Sequence, residues 1–203
     1  AINFEDRDRE EEIHVGSIVL TPGLKTYQPE IRQEFGFGKY KNVITSLQFE
    51  RYLSATGPTD GQLIRPFDGK PVSKVAFLQC IGSRDGNLCG NTYCSSVCCM
   101  YAVKNAIIAK QQAPVLSTTI FYMDMRAHGK DLDKYLERAR KQLGVNFVRC
   151  RINAVERQGL GGDLRIVDHF FLGPSLVRGF ATNGIGPRDV SSLDTNANAV
   201  GGT

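Results

Sequence analysis

Cysteine is the residue type in this chain whose number and spacing point most directly to chemistry. The sequence has 203 residues and six cysteines, and five of the cysteines lie within one stretch of twenty residues. Those five are Cys80, Cys89, Cys94, Cys98 and Cys99, and the sixth is Cys150. Thiols concentrated in one short stretch of a chain long enough to bury its own core favour a metal or redox site over a scaffold of disulfides.

The spacing of four of these cysteines suits a site with four thiolate ligands. Cys94 and Cys98 are four residues apart and would share one face of a helix, while Cys99 is rotated by about 100° from Cys98. Cys80 follows a predicted strand and can supply the fourth thiolate. Four thiolates bind a [4Fe-4S] cluster, whereas structural zinc favours two separated pairs and a disulfide between adjacent cysteines is rare on geometric grounds. From spacing alone, a cluster, a zinc ion and no metal all remain open.

The two other cysteines are predicted to have no ligand role. Cys89 lies in a turn that contains glycine and asparagine, and Cys150 ends a predicted strand, where a core thiol is the ordinary interpretation. The alternative hypothesis for the whole chain is a structural or interaction module, zinc-binding or metal-free, whose cysteines hold the loop together.

The elements that must position the cysteines alternate between strand and helix. Strands are predicted at 75–78, 118–123 and 145–148, with helices at 95–112 and 131–143 between them. That order implies right-handed crossovers and a parallel sheet, which is the pattern of half a doubly wound nucleotide-binding fold. The cysteine loop occupies the place of the glycine-rich phosphate loop of such a fold, and no G-x-G-x-x-G motif is present.

Further elements are predicted on either side of this pattern. Residues 13–20 have the apolar alternation of a strand, and residues 163–167 could add an edge strand. Thr45 and Gln48 have the spacing of a capping box, which predicts that a helix begins there and runs through 49–53.

Composition and charge argue against several classes of function. The formal net charge is +4 and no run of Lys and Arg carries interleaved aromatics, so nucleic acid is not an expected partner. No apolar stretch approaches the ~20 residues that span a bilayer, and the first residues do not resemble a signal peptide. Clustered thiols suit a reducing compartment, which predicts a cytoplasmic location.

Four segments of the sequence resemble one known family. They are NVITSLQFER at 42–51, VAFLQCIGSRD at 75–85, YCSSVCCMYA at 93–102 and YMDMRAHGK at 122–130. All four resemble the family of heterodisulfide reductase A-subunits, and the C-x₁₃-C-x₃-C-C pattern is the specific part of the match. The resemblance implies a flavin- and iron–sulfur-containing subunit with a thioredoxin-reductase-like core. Such subunits pass electrons between FAD and clusters, in anaerobes by flavin-based electron bifurcation.

The resemblance also implies which residues form the site. The implied cluster ligands are Cys80, Cys94, Cys98 and Cys99, and the implied neighbours of the flavin are Lys104 and Glu50. A cationic lysine beside the flavin would stabilise its reduced, anionic form. The expected function is that of an oxidoreductase subunit with a [4Fe-4S] cluster and FAD. Its expected partners are other subunits of a heterodisulfide-reductase-like complex and ferredoxin- or hydrogenase-type electron donors.

The chain also departs from the family pattern. The G-x-G-x-x-G motif for FAD and the ferredoxin cysteine motifs are absent, so we expect an incomplete flavin site and an isolated chain without activity. The expected fold is α/β: a partial doubly wound, thioredoxin-reductase-like or Rossmann-like parallel sheet with an inserted cysteine-rich cluster loop. We expect a partial chain with part of a flavin-domain-like region and a loop-rich linker at 1–70. A Rossmann-like half carrying the cysteines follows at 71–171, and a poorly specified tail at 172–203.

Overall fold

The computed structural model describes residues 3–23, 25–170 and 188–189. Within these residues the helices are α1 (Ser46–Leu53), α2 (Cys98–Gln112) and α3 (Leu132–Lys141). The strands are β1 (Lys74–Leu78), β2 (Ser117–Tyr122), β3 (Asn146–Gln158), β4 (Asp163–Phe170) and β5 (Arg188–Asp189). Two short 3-10 turns, Pro29–Ile31 and Gln33–Phe35, precede α1. None of the described helices is long and apolar enough to cross a membrane.

One sheet carries the strands in the order of the sequence, from β1 to β5. β1, β2 and β3 are parallel, with Val75 paired to Thr118 and Ile120 paired to Phe147, and α2 and α3 lie in the connections between them. β4 runs antiparallel to β3, and β5 runs antiparallel to β4. The predicted α/β fold is confirmed: parallel strands joined through helices, with the cysteine-rich loop after the first strand of the sheet.

The two faces of the sheet are covered by different kinds of structure. Neighbouring residues of a strand point to opposite faces, and on β2 Ile120 belongs to one hydrophobic cluster while Phe121 belongs to another. The cluster around Ile120 also contains residues of α1, α2 and α3. The cluster around Phe121 contains Phe35 and further strand residues, with no α-helical residue among those described. One helical layer on one face is compatible with a partial Rossmann-like fold.

Short helix α1 is fixed at both of its ends. The predicted capping box is confirmed, since the Gln48 N–H donates to Thr45 Oγ1 at 3.2 Å and the Thr45 N–H donates to Gln48 Oε1 at 2.8 Å. At the other end, the Gln112 amide at the end of α2 donates to the Leu53 carbonyl at 2.8 Å. The Phe49 ring meets the Phe77 ring edge-on, with centroids 5.3 Å apart, so α1 packs against both α2 and β1.

Three of the predicted elements differ from the structure: one is absent, and two have other boundaries. The strand predicted at 13–20 is wrong: these residues are exposed and pair with no strand among the described residues. α2 begins at Cys98 rather than at residue 95, since Ser96 has a φ of 65° that an α-helix excludes. Cys94 therefore precedes the helix, and the prediction that it shares a helical face with Cys98 is wrong. β3 continues past 148 to Gln158, because β4 pairs with it along that length. β4 contains the strand predicted at 163–167, but it is not at the edge of the sheet, since β5 pairs with its other side.

The predicted domain boundaries stay predictions. Phe49 and Leu53, from the region before residue 70, lie in the same hydrophobic cluster as Phe77 of β1 and Val103 of α2. The tail predicted at 172–203 lies outside the described residues, apart from the two residues of β5.

Candidate metal centre

The cysteine loop joins the carboxyl end of β1 to the first turn of α2. β1 ends at Leu78, Cys80 follows two residues later, and Cys98 and Cys99 are the first two residues of α2. Ligands of open α/β sheets bind at this edge, outside the carboxyl ends of the parallel strands. No side chain caps the N terminus of α2, so its unpaired N–H groups present partial positive charge to this edge.

Cys98 and Cys99 form a hydrogen-bonded pair of thiols. The hydrogen bond from Cys99 lowers the pKa of the Cys98 thiol, and the backbone N–H groups of Cys80 and Cys98 and the side chain of Ser95 lower it further. The same hydrogen bond, together with burial, raises the pKa of Cys99. Because the thiolate is the form that binds metal, Cys98 is the member of the pair that is readier to act as a ligand.

Cys80 and Cys94 lie in the same neighbourhood as this pair. Burial raises the pKa of the Cys80 thiol, and the negative charge of the Cys98 and Cys94 thiolates raises it further. The Cys94 sulfur accepts a hydrogen bond from the Ser96 N–H at 3.3 Å. Cys80 thus lies within electrostatic range of the three other predicted ligands. Among the described residues, however, no three side chains of metal-binding type already surround a single ion position, so the ligand set stays a prediction.

The backbone of the loop is held in left-handed conformations. Five non-glycine residues of the described part have a positive φ, and three of them belong to this loop. They are Cys80 at 63°, Arg84 at 55° and Ser96 at 65°. A left-handed conformation costs a residue with a Cβ roughly 1–2 kcal/mol. Such residues persist where the surroundings fix the backbone, often at functional sites.

Cys89 lies in a separate group, the Tyr27 cluster, which also contains Arg32, Gly82 and Asp85. The Cys89 sulfur is 3.0 Å from the Tyr27 hydroxyl and donates to Asp85 Oδ2 at 3.4 Å. Asp85 is only 6% exposed, and its carboxylate also binds the Arg32 guanidinium. The Tyr27 ring packs on Gly82, whose φ is 77° and where a Cβ would lie 2.5 Å from the ring. The sequence did not indicate this cluster, because its members come from two separate segments.

Cys150 is a core residue, as predicted. It lies on β3, is 2% exposed and belongs to the hydrophobic cluster that contains Phe121, Ile152 and Val155. It therefore lies in the core of the sheet and not in the loop that contains the other five cysteines.

Glu50 and Lys104, the two residues predicted near a flavin, form an ion pair between α1 and α2. Lys104 Nζ donates to Glu50 Oε1 at 2.7 Å, and the Tyr101 hydroxyl donates to Glu50 Oε2. Lys104 Nζ also lies 4.6 Å from the centroid of the Tyr101 ring. The hydrogen bonds from Lys104 and Tyr101 lower the pKa of Glu50, while burial and the bond to Glu50 raise the pKa of Tyr101 to about 12. Tyr101 is a member of this group that the sequence pattern did not indicate.

Asp124, just after β2, gathers three arginines beside the thiols. Arg84 Nη1 lies 2.6 Å and Arg126 Nη2 3.9 Å from Asp124 Oδ2, and Arg149 Nη2 lies 3.7 Å from Asp124 Oδ1. The Cys99 thiol donates to the Asp124 backbone carbonyl at 3.7 Å, so these four residues, the Asp124 group, adjoin the cysteine site. Three guanidinium groups around one carboxylate leave an excess of positive charge next to the sulfur atoms.

The fold and the site together define an α/β module that presents several thiols at the carboxyl edge of the parallel strands of its sheet. Among curated relatives, the chain is 46% identical over 151 residues to the second iron–sulfur A-subunit of the CoB–CoM heterodisulfide reductase of Methanopyrus kandleri. It is 44% identical over 151 residues to the iron–sulfur A-subunit of the CoB–CoM heterodisulfide reductase of Methanocaldococcus jannaschii. Each alignment covers 74% of this chain and 23% of the relative.

The resemblance to heterodisulfide reductase A-subunits noted in the sequence is confirmed, as a match to one segment of those proteins. A further relative is the A-subunit of the ferredoxin/F(420)H(2)-dependent CoB–CoM heterodisulfide reductase of Methanosarcina acetivorans. It is 41% identical over 155 residues, which are 76% of this chain and 19% of the relative. Over about three quarters of its length, this chain is homologous to a segment of these proteins. It spans about a quarter of the length of the curated relatives that it matches.

A second similarity concerns the carboxyl-terminal half. The family model of the Omp85 superfamily domain matches residues 108–203, just under half of the chain. That range contains none of the four candidate ligands. Its described part includes the helix α3 and the strands β2, β3 and β4 of the sheet. The reductase relatives match a larger share of the chain at 40–46% identity, so they carry the functional argument.

Proposed function

We propose that this chain carries an iron–sulfur site of a heterodisulfide-reductase-type electron-transfer subunit. Its ligands to a [4Fe-4S] cluster are Cys80, Cys94, Cys98 and Cys99. The observation that supports the proposal is that thiols between the end of β1 and the uncapped N terminus of α2 influence one another electrostatically. Two relatives are named iron–sulfur subunits, which supports the same choice of metal group.

The chemistry of the donor set fits an iron–sulfur cluster. Soft thiolate ligands select iron–sulfur clusters, zinc or copper(I), and four thiolates are the usual complement of a [4Fe-4S] cluster. When bound, such a cluster supplies one-electron transfer. The chain's own residues would bind it through sulfur and offset its negative charge through the α2 N terminus and the arginines of the Asp124 group.

Glu50 and Lys104 are the residues of this chain that we propose to approach FAD. Lys104 lies on α2 less than two turns after Cys99, so a flavin beside the ion pair would also lie near the thiols. The Lys104 ammonium would stabilise negative charge on the reduced flavin, and Tyr101 helps to hold Glu50 ionised. Since the chain has no G-x-G-x-x-G loop for the pyrophosphate, we expect the isolated chain to retain little FAD.

The proposed activity is that of an oxidoreductase subunit in a cytoplasmic complex. A cluster that takes one electron, next to a flavin that takes two, would divide an electron pair into single transfers. Flavin-based electron bifurcation requires such a division. The proposed partners are other subunits of a heterodisulfide-reductase-like complex and a ferredoxin- or hydrogenase-type donor. One relative's name includes dependence on ferredoxin, which supports a donor of that kind.

The alternative function is a zinc-binding or metal-free structural module of a larger complex. The observation that favours its metal-free form is the hydrogen-bonded Cys98–Cys99 pair. Such a loop would hold its shape by hydrogen bonds alone or around a zinc ion.

Anaerobic purification of the 203-residue chain separates the two functions. Iron, acid-labile sulfide and zinc are counted per chain, and EPR spectra are recorded before and after reduction. We expect about four iron and four sulfide per chain and an EPR signal of a reduced cluster. A colourless chain that contains zinc and no iron would overturn the redox function and support the structural one.

A further inference from the structure

Arg84 is the cation of the Asp124 group that lies against a predicted ligand. We propose that Arg84 is a positioning residue that tunes the reduction potential of the cluster that the four cysteines would bind. In this proposal the Arg84 guanidinium is held against the Cys80 sulfur, and Asp124 fixes its orientation. The inference rests on the proposed function, because it concerns the cluster that Cys80 would bind.

The position of Arg84 is determined by contacts at both its backbone and its side chain. Its backbone, at a φ of 55°, donates its N–H to the Tyr93 carbonyl at 3.0 Å, and Tyr93 directly precedes Cys94. Its guanidinium donates to Asp124 Oδ2 at 2.6 Å. The side chain is 27% exposed, so it is largely removed from solvent. Arg84 is therefore hydrogen-bonded to the residue before Cys94 and to Asp124, which lies just after β2.

The Arg84 guanidinium also reaches the sulfur of a second predicted ligand. The Arg84 side chain forms a hydrogen bond with the Cys80 side chain. Asp124 contacts a different predicted ligand, since its backbone carbonyl accepts a hydrogen bond from the Cys99 thiol. Asp124 thus contacts Arg84 through its carboxylate and a predicted ligand through its backbone.

The consequence of this geometry is electrostatic. A cluster gains one negative charge on reduction, and hydrogen bonds and charges around its sulfur atoms set its potential. A cation bound to a ligand sulfur stabilises the reduced form more than the oxidised form. Arg84 keeps its charge at every working pH, because a guanidinium does not deprotonate in proteins. Arg149 is 53% exposed, so solvent and salt screen its charge more strongly.

The test is a potentiometric titration of the 203-residue chain, loaded with iron and sulfide and followed by EPR. Arg84→Gln removes the charge but keeps a polar side chain, so we expect a lower midpoint potential at full iron content. Arg84→Lys restores the charge and should recover most of the wild-type midpoint. Arg149→Gln is the matched control, because it removes one positive charge from the other oxygen of the same carboxylate and should shift the midpoint much less.

The outcomes separate this inference from the proposed function. An unchanged midpoint in Arg84→Gln at full iron content overturns the inference and leaves the proposed function standing, as does an equal shift in Arg149→Gln. If Arg84→Gln loses iron, retention of iron by Arg84→Lys supports the role of the charge, and loss by both variants overturns it. A wild-type chain that takes up no iron overturns the proposed function and the inference together.

Discussion

Two groups of cysteine share one loop, and the structure gives them different surroundings. The first group consists of Cys80, Cys94, Cys98 and Cys99, whose sulfur atoms influence one another at the N terminus of α2. The second consists of Cys89 alone, which contacts the Tyr27 hydroxyl and donates its thiol hydrogen to Asp85. In the first group the pKa of Cys98 is lowered while those of Cys80 and Cys99 are raised, so Cys98 is the thiol most easily ionised. Cys89, by contrast, is tied to a buried carboxylate as a hydrogen-bond donor.

The difference shows that proximity in sequence is a poor guide to the role of a cysteine in this loop. Cys89 is nearer in sequence to Cys94 than Cys80 is, yet Asp85 and Tyr27 hold it in a different cluster. The Tyr27 cluster fastens the loop to the segment that precedes α1, because Tyr27 and Arg32 both come from that segment. One part of the loop is thus proposed to bind a cofactor, and the other part to hold the loop in place.

The largest expected effect comes from serine substitutions that compare the two groups directly. Cys98→Ser or Cys99→Ser removes a proposed ligand, so we expect loss of most of the iron and of the EPR signal. Cys89→Ser and Cys150→Ser are matched controls that remove a thiol from the Tyr27 cluster and from the core. Both should keep the wild-type iron content. Equal iron loss in all four variants, measured by iron and sulfide per chain, would contradict the choice of ligands.

Two glycine substitutions in the same loop should differ in their effect on stability. Gly82 and Gly90 have φ values of 77° and 68°, so alanine at either position costs roughly 1–2 kcal/mol of unfolding free energy. A Cβ at Gly82 would also lie 2.5 Å from the Tyr27 ring, whereas a Cβ at Gly90 meets nothing within 4 Å. We expect Gly82→Ala to lose a further ~1–3 kcal/mol through overpacking.

Urea unfolding of both glycine variants measures this difference. If Gly90→Ala is destabilised as much as Gly82→Ala, the contact between Tyr27 and the loop does not contribute to stability. Near-UV circular dichroism of the folded variants then tests whether the surroundings of the tyrosines have changed in Gly82→Ala alone.

The smallest expected effect is a pH dependence of the Tyr27 cluster. Burial, and then the hydrogen bond with Cys89, raise the pKa of Tyr27 to about 12, against about 10 for a tyrosine in an unfolded chain. An acid whose pKa is higher in the folded state contributes stability below its unfolded pKa. That contribution falls as the pH rises from about 10 through about 12. Tyr27→Phe removes the contribution at every pH.

The measurement is the urea unfolding free energy of the wild type and of Tyr27→Phe between about pH 8 and about pH 11. We expect the gap between them to narrow toward the upper end of this range. A gap that stays constant would mean that the Tyr27 hydroxyl does not titrate as its surroundings imply.

Several elements of the fold were predictable because their signals are local. The Thr45–Gln48 capping box depends on residues within one turn, and it forms as its spacing predicts. β1, α2, β2, α3 and β3 follow the predicted order, since apolar runs and helical periodicity are read within each segment. The strand predicted at 13–20 failed for the opposite reason. A strand needs hydrogen bonds from a neighbour, and no neighbour lies there among the described residues.

By itself, the sequence determined the order of the elements and the clustering of five cysteines between β1 and the first turn of α2. Only the tertiary structure decided which polar groups meet: Cys89 with Tyr27, Glu50 with Tyr101 and Lys104, and Arg84 with Asp124. These partners are between 40 and 62 residues apart. Local propensity acts within a few residues, whereas such contacts depend on how the sheet and its crossovers bring distant loops to one edge.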